Sequence, residues 1–256
     1  MHDDHALARE LAEEAGRRLL ELRARGGEPD VLRNAGDRQS HEFLAAALAD
    51  RRPGDVVLSE EGADDSARLA ADRVWIVDPL DGTREFGEPG RTDWAVHVAL
   101  WERSAASEAG DLTVGAVALP AQEKVLSTLD PPSTGGRGQG NGQLRIVVSR
   151  TRAPRFVQNI SDLIGAELLP LGSAGAKVAA VVSGEADAYI HGGGFYEWDT
   201  AAPVAVARTA GCHASRIDGS ALAYNQANLL MPDILVCRPA LAGLLLQAIR
   251  EVTNAS

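Results

Sequence analysis

Two carboxylates three positions apart, Asp78 and Asp81, stand in the run Asp78-Pro79-Leu80-Asp81-Gly82-Thr83. The apolar segment before them, Val74-Trp75-Ile76-Val77, reads as a buried strand. Pro79 is expected to stop the ladder at Asp78 and to keep a helix from running through. Gly82 permits a sharp turn. The acids are then fixed at a rigid strand end, with the Leu80 carbonyl between them and the backbone N–H groups of Gly82 and Thr83 beyond. Oxygen donors grouped in this way suit a hard cation, and Mg²⁺ in particular binds through carboxylates together with substrate phosphate. Two more acids end or follow structured runs. Glu60 comes after Val56-Val57-Leu58, and Asp199 lies in Glu197-Trp198-Asp199-Thr200-Ala201-Ala202, after His191-Gly192-Gly193-Gly194. Taken singly, Asp199 reads as a helix N-cap and Glu60 as a solvated surface acid. Four acids in comparable loops read as one cleft.

The rest of the chain must position those acids. It has 256 residues, 45% hydrophobic and 24% charged, enough for one large domain or two close-packed halves. Aromatic residues make up only 4%, so the core leans on Ala, Val and Leu. A net charge of −11 argues against nucleic acid or an anionic membrane as partner. It leaves a phosphorylated small molecule open, because bound metal inverts the local field. Cys212 and Cys237 have no metal-ligand spacing and read as buried free thiols, which suits a reducing compartment. The acidic start, Met1-His2-Asp3-Asp4-His5, does not resemble a signal peptide, and no apolar run reaches membrane-spanning length, so a cytoplasmic location is expected.

Leu7, Leu11, Ala15, Leu19 and Leu22 predict a helix over about 4–25, ended by Gly26-Gly27. A second helix is expected from Asp37, as N-cap, to about Asp50. A short helix near 64–71 should precede the strand that ends at Asp78. Residues 94–102 alternate, with Trp94, Val96, Val98 and Leu100 on one face, and 112–119 and 124–129 read as the next two antiparallel strands. The Pro/Gly/Ser-rich stretch 131–143 divides an N-terminal α+β half, 1–130, from a C-terminal α/β half, 144–256. In the second half, strands at 145–148, 167–171, 186–191 and 234–238 alternate with helices near 154–164, 174–184, 200–210 and 239–253. The fold class is α/β, layered.

At its acidic motifs the chain resembles the magnesium-dependent, lithium-sensitive phosphatases related to inositol monophosphatase. Asp78–Thr83 matches that family's first signature, Trp198–Ala202 its second, and Glu60 in Ser59-Glu60-Glu61 its glutamate. The likeness covers essentially the whole chain and implies an αβαβα sandwich. It also implies that Glu60, Asp78, the Leu80 carbonyl, Asp81 and Asp199 hold two to three Mg²⁺ ions, which activate water and neutralise the leaving alkoxide. Thr83, hydrogen-bonded to Asp37, would orient and deprotonate that water with Glu60, while Gly82 and Thr83 N–H groups hold phosphate oxygens. The match has departures. Arg33-Asn34-Ala35-Gly36 stands where many relatives carry a lysine and a Val-Thr pair, and Pro203 stands where relatives often have Gly. Proline is expected to be tolerated there as part of the helix's first turn or so.

Three segments resemble the branch acting on 3'-phosphoadenosine 5'-phosphate, in particular the CysQ-type bacterial enzymes of sulfate assimilation and above all those of actinobacteria. They are Arg84-Glu85-Phe86, Ser149-Arg150-Thr151 and Gly172-Ser173-Ala174-Gly175-Ala176-Lys177. The resemblance implies a small phosphorylated nucleotide as substrate, with Arg84, Ser149, Arg150, Ser173, Lys177 and Asp199 in contact with it. Lys177 or Arg150 would supply charge for the second phosphate, and Tyr196 is a candidate wall for the base. An inositol-1-phosphate or fructose-1,6-bisphosphate phosphatase is the alternative, and a non-catalytic nucleotide-binding module a remote one. Relatives are often dimers, which leaves a homodimer open. His97 and His213 read as satisfied histidines in strands, with no partner at ligand spacing, while His191 borders the glycine run that precedes Asp199.

Overall fold

Leu7, Leu11, Ala15 and Leu19 all fall on the buried side of the first helix, α1 (Asp4–Ala24), as their spacing requires. The computed structural model describes residues 3–104, 107–132, 142–151 and 153–254, so most of the expected divider at 131–143 lies outside the described residues. The second helix, α2, runs Pro29–Arg51 and starts eight residues earlier than its expected cap. Pro29 suits the first helical position. Gly36 does not break the helix, because it lets α2 lie flush against its neighbours. A Cβ there would sit 2.8 Å from the Phe86 ring and 2.9 Å from Leu80. Asp37 is therefore mid-helix, not a cap.

The strand β1 (Val56–Ser59) pairs in parallel with β2 (Arg73–Asp81), Ser59 opposite Val77. A 3-10 turn, Ser66–Ala70, stands between them where a short helix was expected. Pro79 does not end β2. The strand carries an irregularity there, with Asp78 opposite His97 and Asp81 opposite Ala95, so the run is absorbed as a bulge. The short helix α3 (Thr83–Gly87) follows. Then β3 (Ala95–Ser104), β4 (Ser107–Leu119) and β5 (Lys124–Ser127) complete an antiparallel meander, giving the order β1-β2-β3-β4-β5.

The second half supplies β6 (Arg145–Ser149), α4 (Arg155–Ile164), β7 (Glu167–Leu171), α5 (Ala174–Val182) and β8 (Ala188–His191). After these come β9 (Phe195–Tyr196), α6 (Glu197–Thr209), β10 (His213–Ser215), β11 (Leu230–Met231), β12 (Ile234–Cys237) and α7 (Ala242–Asn254). The second sheet has the order β10-β12-β8-β6-β7, and β9 pairs with β11 as a separate ribbon. Helix α6 opens at Glu197, so Asp199 is its third residue, and Pro203 lies inside the helix, beyond the first turn.

The three apolar clusters define the layers. One joins α1 and α2 to a face of the first sheet through Trp75, Val77, Val98 and Ala116. The largest joins the opposite face, through Ile76, Ala99 and Val117, to α5, α6 and the near face of the second sheet. The third packs the far face of that sheet, Ile146, Ile190 and Leu235, against α4 and α7. The stacking is αβαβα, as the resemblance implied. Its middle layer is thin. Every residue of α5 is buried, and a Cβ on Gly115 of β4 would meet Ala205 of α6 at 2.6 Å. No helix among the described residues is long and apolar enough to cross a membrane.

Gly36→Ala is expected to cost about 1–3 kcal/mol, by forcing α2 off Phe86 and Leu80. Urea denaturation measures it.

Candidate active site

Parallel pairing sets the first two carboxylates side by side. Because Ser59 is level with Val77, the residues that follow, Glu60 and Asp78, leave adjacent strands at one edge, and Glu60 N–H reaches the Val77 carbonyl at 3.4 Å. The bulge then turns Asp81 toward the same edge. Its geometry is pinned by Ser40, whose hydroxyl donates to the Pro79 carbonyl at 2.7 Å, and by Leu80 N–H, which donates to Asp78 at 3.0 Å. Gly82 has φ +85°, and a Cβ there would sit 3.1 Å from Ser173, so only glycine fits the turn. Asp199 enters from the first turn of α6, with its carboxylate accepting from Tyr196 N–H at 2.6 Å.

The four acids crowd one another. Asp78 is 1% exposed and its carboxyl is raised well above the usual range, by burial first and then by Glu60, Asp81 and Asp199. Asp81 and Asp199 are each raised to about 6, both chiefly by withdrawal from water. Glu60, whose side chain keeps an open edge, is raised to about 8, first by desolvation of its carboxylate and then by Asp199. Lys177 lies 4% exposed in the field of Asp81 and Asp199 and offsets part of this charge. Asp81 also accepts from Gly175 N–H at 2.8 Å. A donor set of convergent anionic oxygens with so little compensating charge fits a divalent cation.

His97 belongs to this constellation, contrary to the expectation of an ordinary satisfied histidine. It is fully buried. Its Nδ1 lies 3.2 Å from the Trp198 carbonyl and 4.0 Å from Asp78, and its Nε2 lies 3.2 Å from Asp81. Among the described residues, Asp78, Asp81 and His97 offer ligand atoms within 4.8 Å of one another. Burial pushes the imidazole down to about 4, so it is neutral. Nε2 faces Gly175, where a Cβ would sit 2.3 Å away, so the ring backs the carboxylates from the core side. The signal was present in the sequence: His97 is on the opposite face of β3 from Trp94 and Val98. Seeing it required the β2–β3 register.

Thr83 donates its hydroxyl toward Asp37 at 3.2 Å and toward the Leu80 carbonyl at 3.0 Å. Asp37 therefore does meet Thr83, although from the middle of α2. Its carboxyl is raised to about 6, by burial and then by Glu61. A cleft of about 790 Å³ opens beside these groups. Its walls include Thr83, Arg84, Ser149, Arg150, Lys177 and Asp199. Three of the residues expected at the substrate already have partners within the protein. Arg150 is paired with Glu85 at 2.7 Å and Glu88 at 2.9 Å, so its charge is already compensated. Ser173 is buried and caps α5, accepting from Ala176 N–H at 2.9 Å. Tyr196 stacks on Trp198 outside the cleft, whose aromatic walls are instead Phe156, Tyr189 and Phe195. His191, beside the glycine run, also lines the cleft.

The inositol monophosphatase family profile matches residues 5–254. A Mycobacterium tuberculosis protein named 3'-phosphoadenosine 5'-phosphate phosphatase is 51% identical over 241 residues, covering 93% of this chain and 90% of its own. A Mycobacterium leprae protein of the same name is 50% identical over 255 residues, covering 97% and 94%. The crystal structure of CysQ from Bacteroides thetaiotaomicron superposes with a TM-score of 0.77 at 27% identity, over 93% of this chain and 98% of that one.

Acids whose folded pKa is raised destabilise the fold progressively as pH climbs from their unfolded values near 4 through 6 to 8, at about 1.4 kcal/mol for each tenfold gain in proton affinity on folding. Metal-stripped protein is therefore expected to lose Tm across that window. Asp78→Asn should raise the metal-free Tm at pH 8 by several degrees, on the order of what one or two kcal/mol gives, and should abolish the Tm rise on adding Mg²⁺. Differential scanning calorimetry at pH 5 and pH 8 checks both.

Proposed function

We propose that this chain, which belongs to the inositol monophosphatase family, is an Mg²⁺-dependent phosphatase that converts 3'-phosphoadenosine 5'-phosphate to AMP and phosphate. The 5'-phosphosulfate analogue would be cleaved to the corresponding 5'-adenylyl sulfate. Identity of about half over nearly the whole chain to phosphatases of that name is the observation that carries the substrate. The family is metal-dependent, and the four convergent carboxylates are the candidate site. Two to three Mg²⁺ bound there would supply positive charge to the phosphate and make water a nucleophile at neutral pH.

The chain's own groups do the rest. Glu60, Asp78, Asp81 and Asp199 would hold the cations, with the Leu80 carbonyl as a further oxygen donor. Asp37 fixes Thr83, so that a hydroxyl oxygen is presented to the attacking water. Glu60, whose side chain keeps an open edge, would take that water's proton. The N–H groups of Gly82 and Thr83, at the start of α3, would hold phosphate oxygens. Phe156, Tyr189, Phe195 and Arg84 also line the cleft, and would meet the base and a second anion of the substrate. A cytoplasmic setting fits a soluble nucleotide substrate.

Phosphate release in Mg²⁺ from 3'-phosphoadenosine 5'-phosphate, inositol-1-phosphate and fructose-1,6-bisphosphate, measured side by side, tests the assignment. A kcat/KM preference of about a hundredfold for the nucleotide, worth about 2.7 kcal/mol, is expected. Preference for a sugar phosphate would overturn it. Thr83→Ala should lower kcat by about 10²-fold or more with KM little changed, as for loss of a group acting mainly in the transition state.

A further inference from the structure

Arg68 is 1% exposed, and its guanidinium is held on three sides. Nε donates to Asp64 at 2.6 Å, Nη1 to the Asn225 side chain at 2.8 Å, and Nη2 to the Gln226 carbonyl at 2.9 Å. Asn225 returns a bond from its Nδ2 to the Arg68 carbonyl at 3.2 Å. The backbone N–H groups of Asn225 and Gln226 then both donate to Glu197, at 2.6 and 2.8 Å, and Glu197 is fully buried. Residues 157 positions apart are thereby locked together. One end of the lock is the 3-10 turn that closes the loop begun by Glu60. The other is the first residue of α6, two positions before Asp199.

We propose that Arg68 and Asn225 form a brace that sets the spacing of Glu60 and Asp199, and so acts as a positioning element for cation binding. This rests on the reading of those two acids as cation ligands. The physical need is direct. Glu60 and Asp199 repel each other, and they lie on segments with no shared strand. Without a tie, the 60–65 loop and the start of α6 would relax apart until a cation drew them in. A brace prepays that rearrangement, so its loss weakens binding more than it alters the filled site. The two-way Arg68–Asn225 contact is buried, and the bidentate Arg68–Asp64 contact, with Asp64 at the surface, holds the guanidinium from the other side, which makes the spacing stiff.

Asn225 offers a clean probe. Its φ is +57°, a conformation glycine adopts freely. Asn225→Gly therefore keeps the backbone path and the N–H donors to Glu197 while deleting both side-chain bonds to Arg68. Calorimetric titration of metal-stripped protein with Mn²⁺ should show affinity lowered about tenfold, in the range found for partners behind metal ligands. The Mg²⁺ concentration for half-maximal activity should rise by a similar factor, with kcat at saturating Mg²⁺ within about twofold of wild type. Arg73→Met removes ion pairs to Asp4, Asp55 and Glu102 at the far end of β2 and is the control for general destabilisation. It should lower Tm and leave Mn²⁺ affinity alone. Wild-type Mn²⁺ affinity in Asn225→Gly, or an equal loss in Arg73→Met, overturns the brace while leaving the cation site standing. Failure of the wild type to bind Mn²⁺ overturns the site reading and the brace together. If Asn225→Gly does not fold, Asp64→Asn replaces it. That variant frees one side of Arg68, should give a smaller loss of affinity in the same direction, and overturns the proposal if it gives none.

Discussion

Mutual repulsion among Glu60, Asp78, Asp81 and Asp199 is the constraint around which the molecule is organised. A carboxylate withdrawn from water ionises reluctantly, and each further one nearby makes it harder. Asp78 feels burial and all three of its companions at once. A fold that brings such groups together does so against its own stability, and the surrounding elements can be understood as what makes the convergence possible.

Each acid is held by a different device. Parallel pairing of β1 with β2 fixes Glu60 beside Asp78. The bulge at Pro79-Leu80, tied by Ser40, aims Asp81 at the same edge. Gly175 at the start of α5 donates an N–H to Asp81, and Tyr196 donates one to Asp199. His97 fills the space behind, between the acids and the backbone of α6. Hydrogen bonds to the charged form lower a carboxylate's pKa and partly oppose the crowding. Lys177 adds a cation of the protein's own within the field of Asp81 and Asp199.

The acids themselves were legible in the sequence, because each follows an apolar run with turn-forming residues next to it. The order of the longer strands and helices was legible too, though the short β9, β10 and β11 were not delimited, and Val96, Val98 and Leu100 of β3, with Trp94 just before it, face one core cluster as the alternation predicts. What stayed hidden depends on tertiary partners. The early start of α2 is allowed because Gly36 packs against Phe86 and Leu80, which local propensity cannot see. Pro79 stays in its strand because a bulge absorbs the missing donor. His97 acquires its place only through register with Asp78. Lys177, Arg150 and Ser173 were recognisable as polar residues in the right segments, but their partners are non-local or depend on a helix end. The side of the cleft that reads the substrate was thus less legible than the side that holds charge.

The thin middle layer explains the composition of the chain as much as its shape. Five layers from 256 residues leave little volume for the helices between the sheets. Accordingly α5 is Ala, Val and Gly apart from Lys177, and the middle of α6, residues 201–207, is Ala and Val around Pro203. Ala and Val side chains surrender little rotational freedom on folding, so packing the centre with them costs little side-chain entropy. Both helices also begin at the cleft, with Gly175 and Asp199 in their opening turns. Sheet separation and ligand geometry are therefore one variable. A lineage of this chain can drift at its outer helices while its central residues stay small, because any thickening there would spread the sheets and carry Asp81 and Asp199 apart.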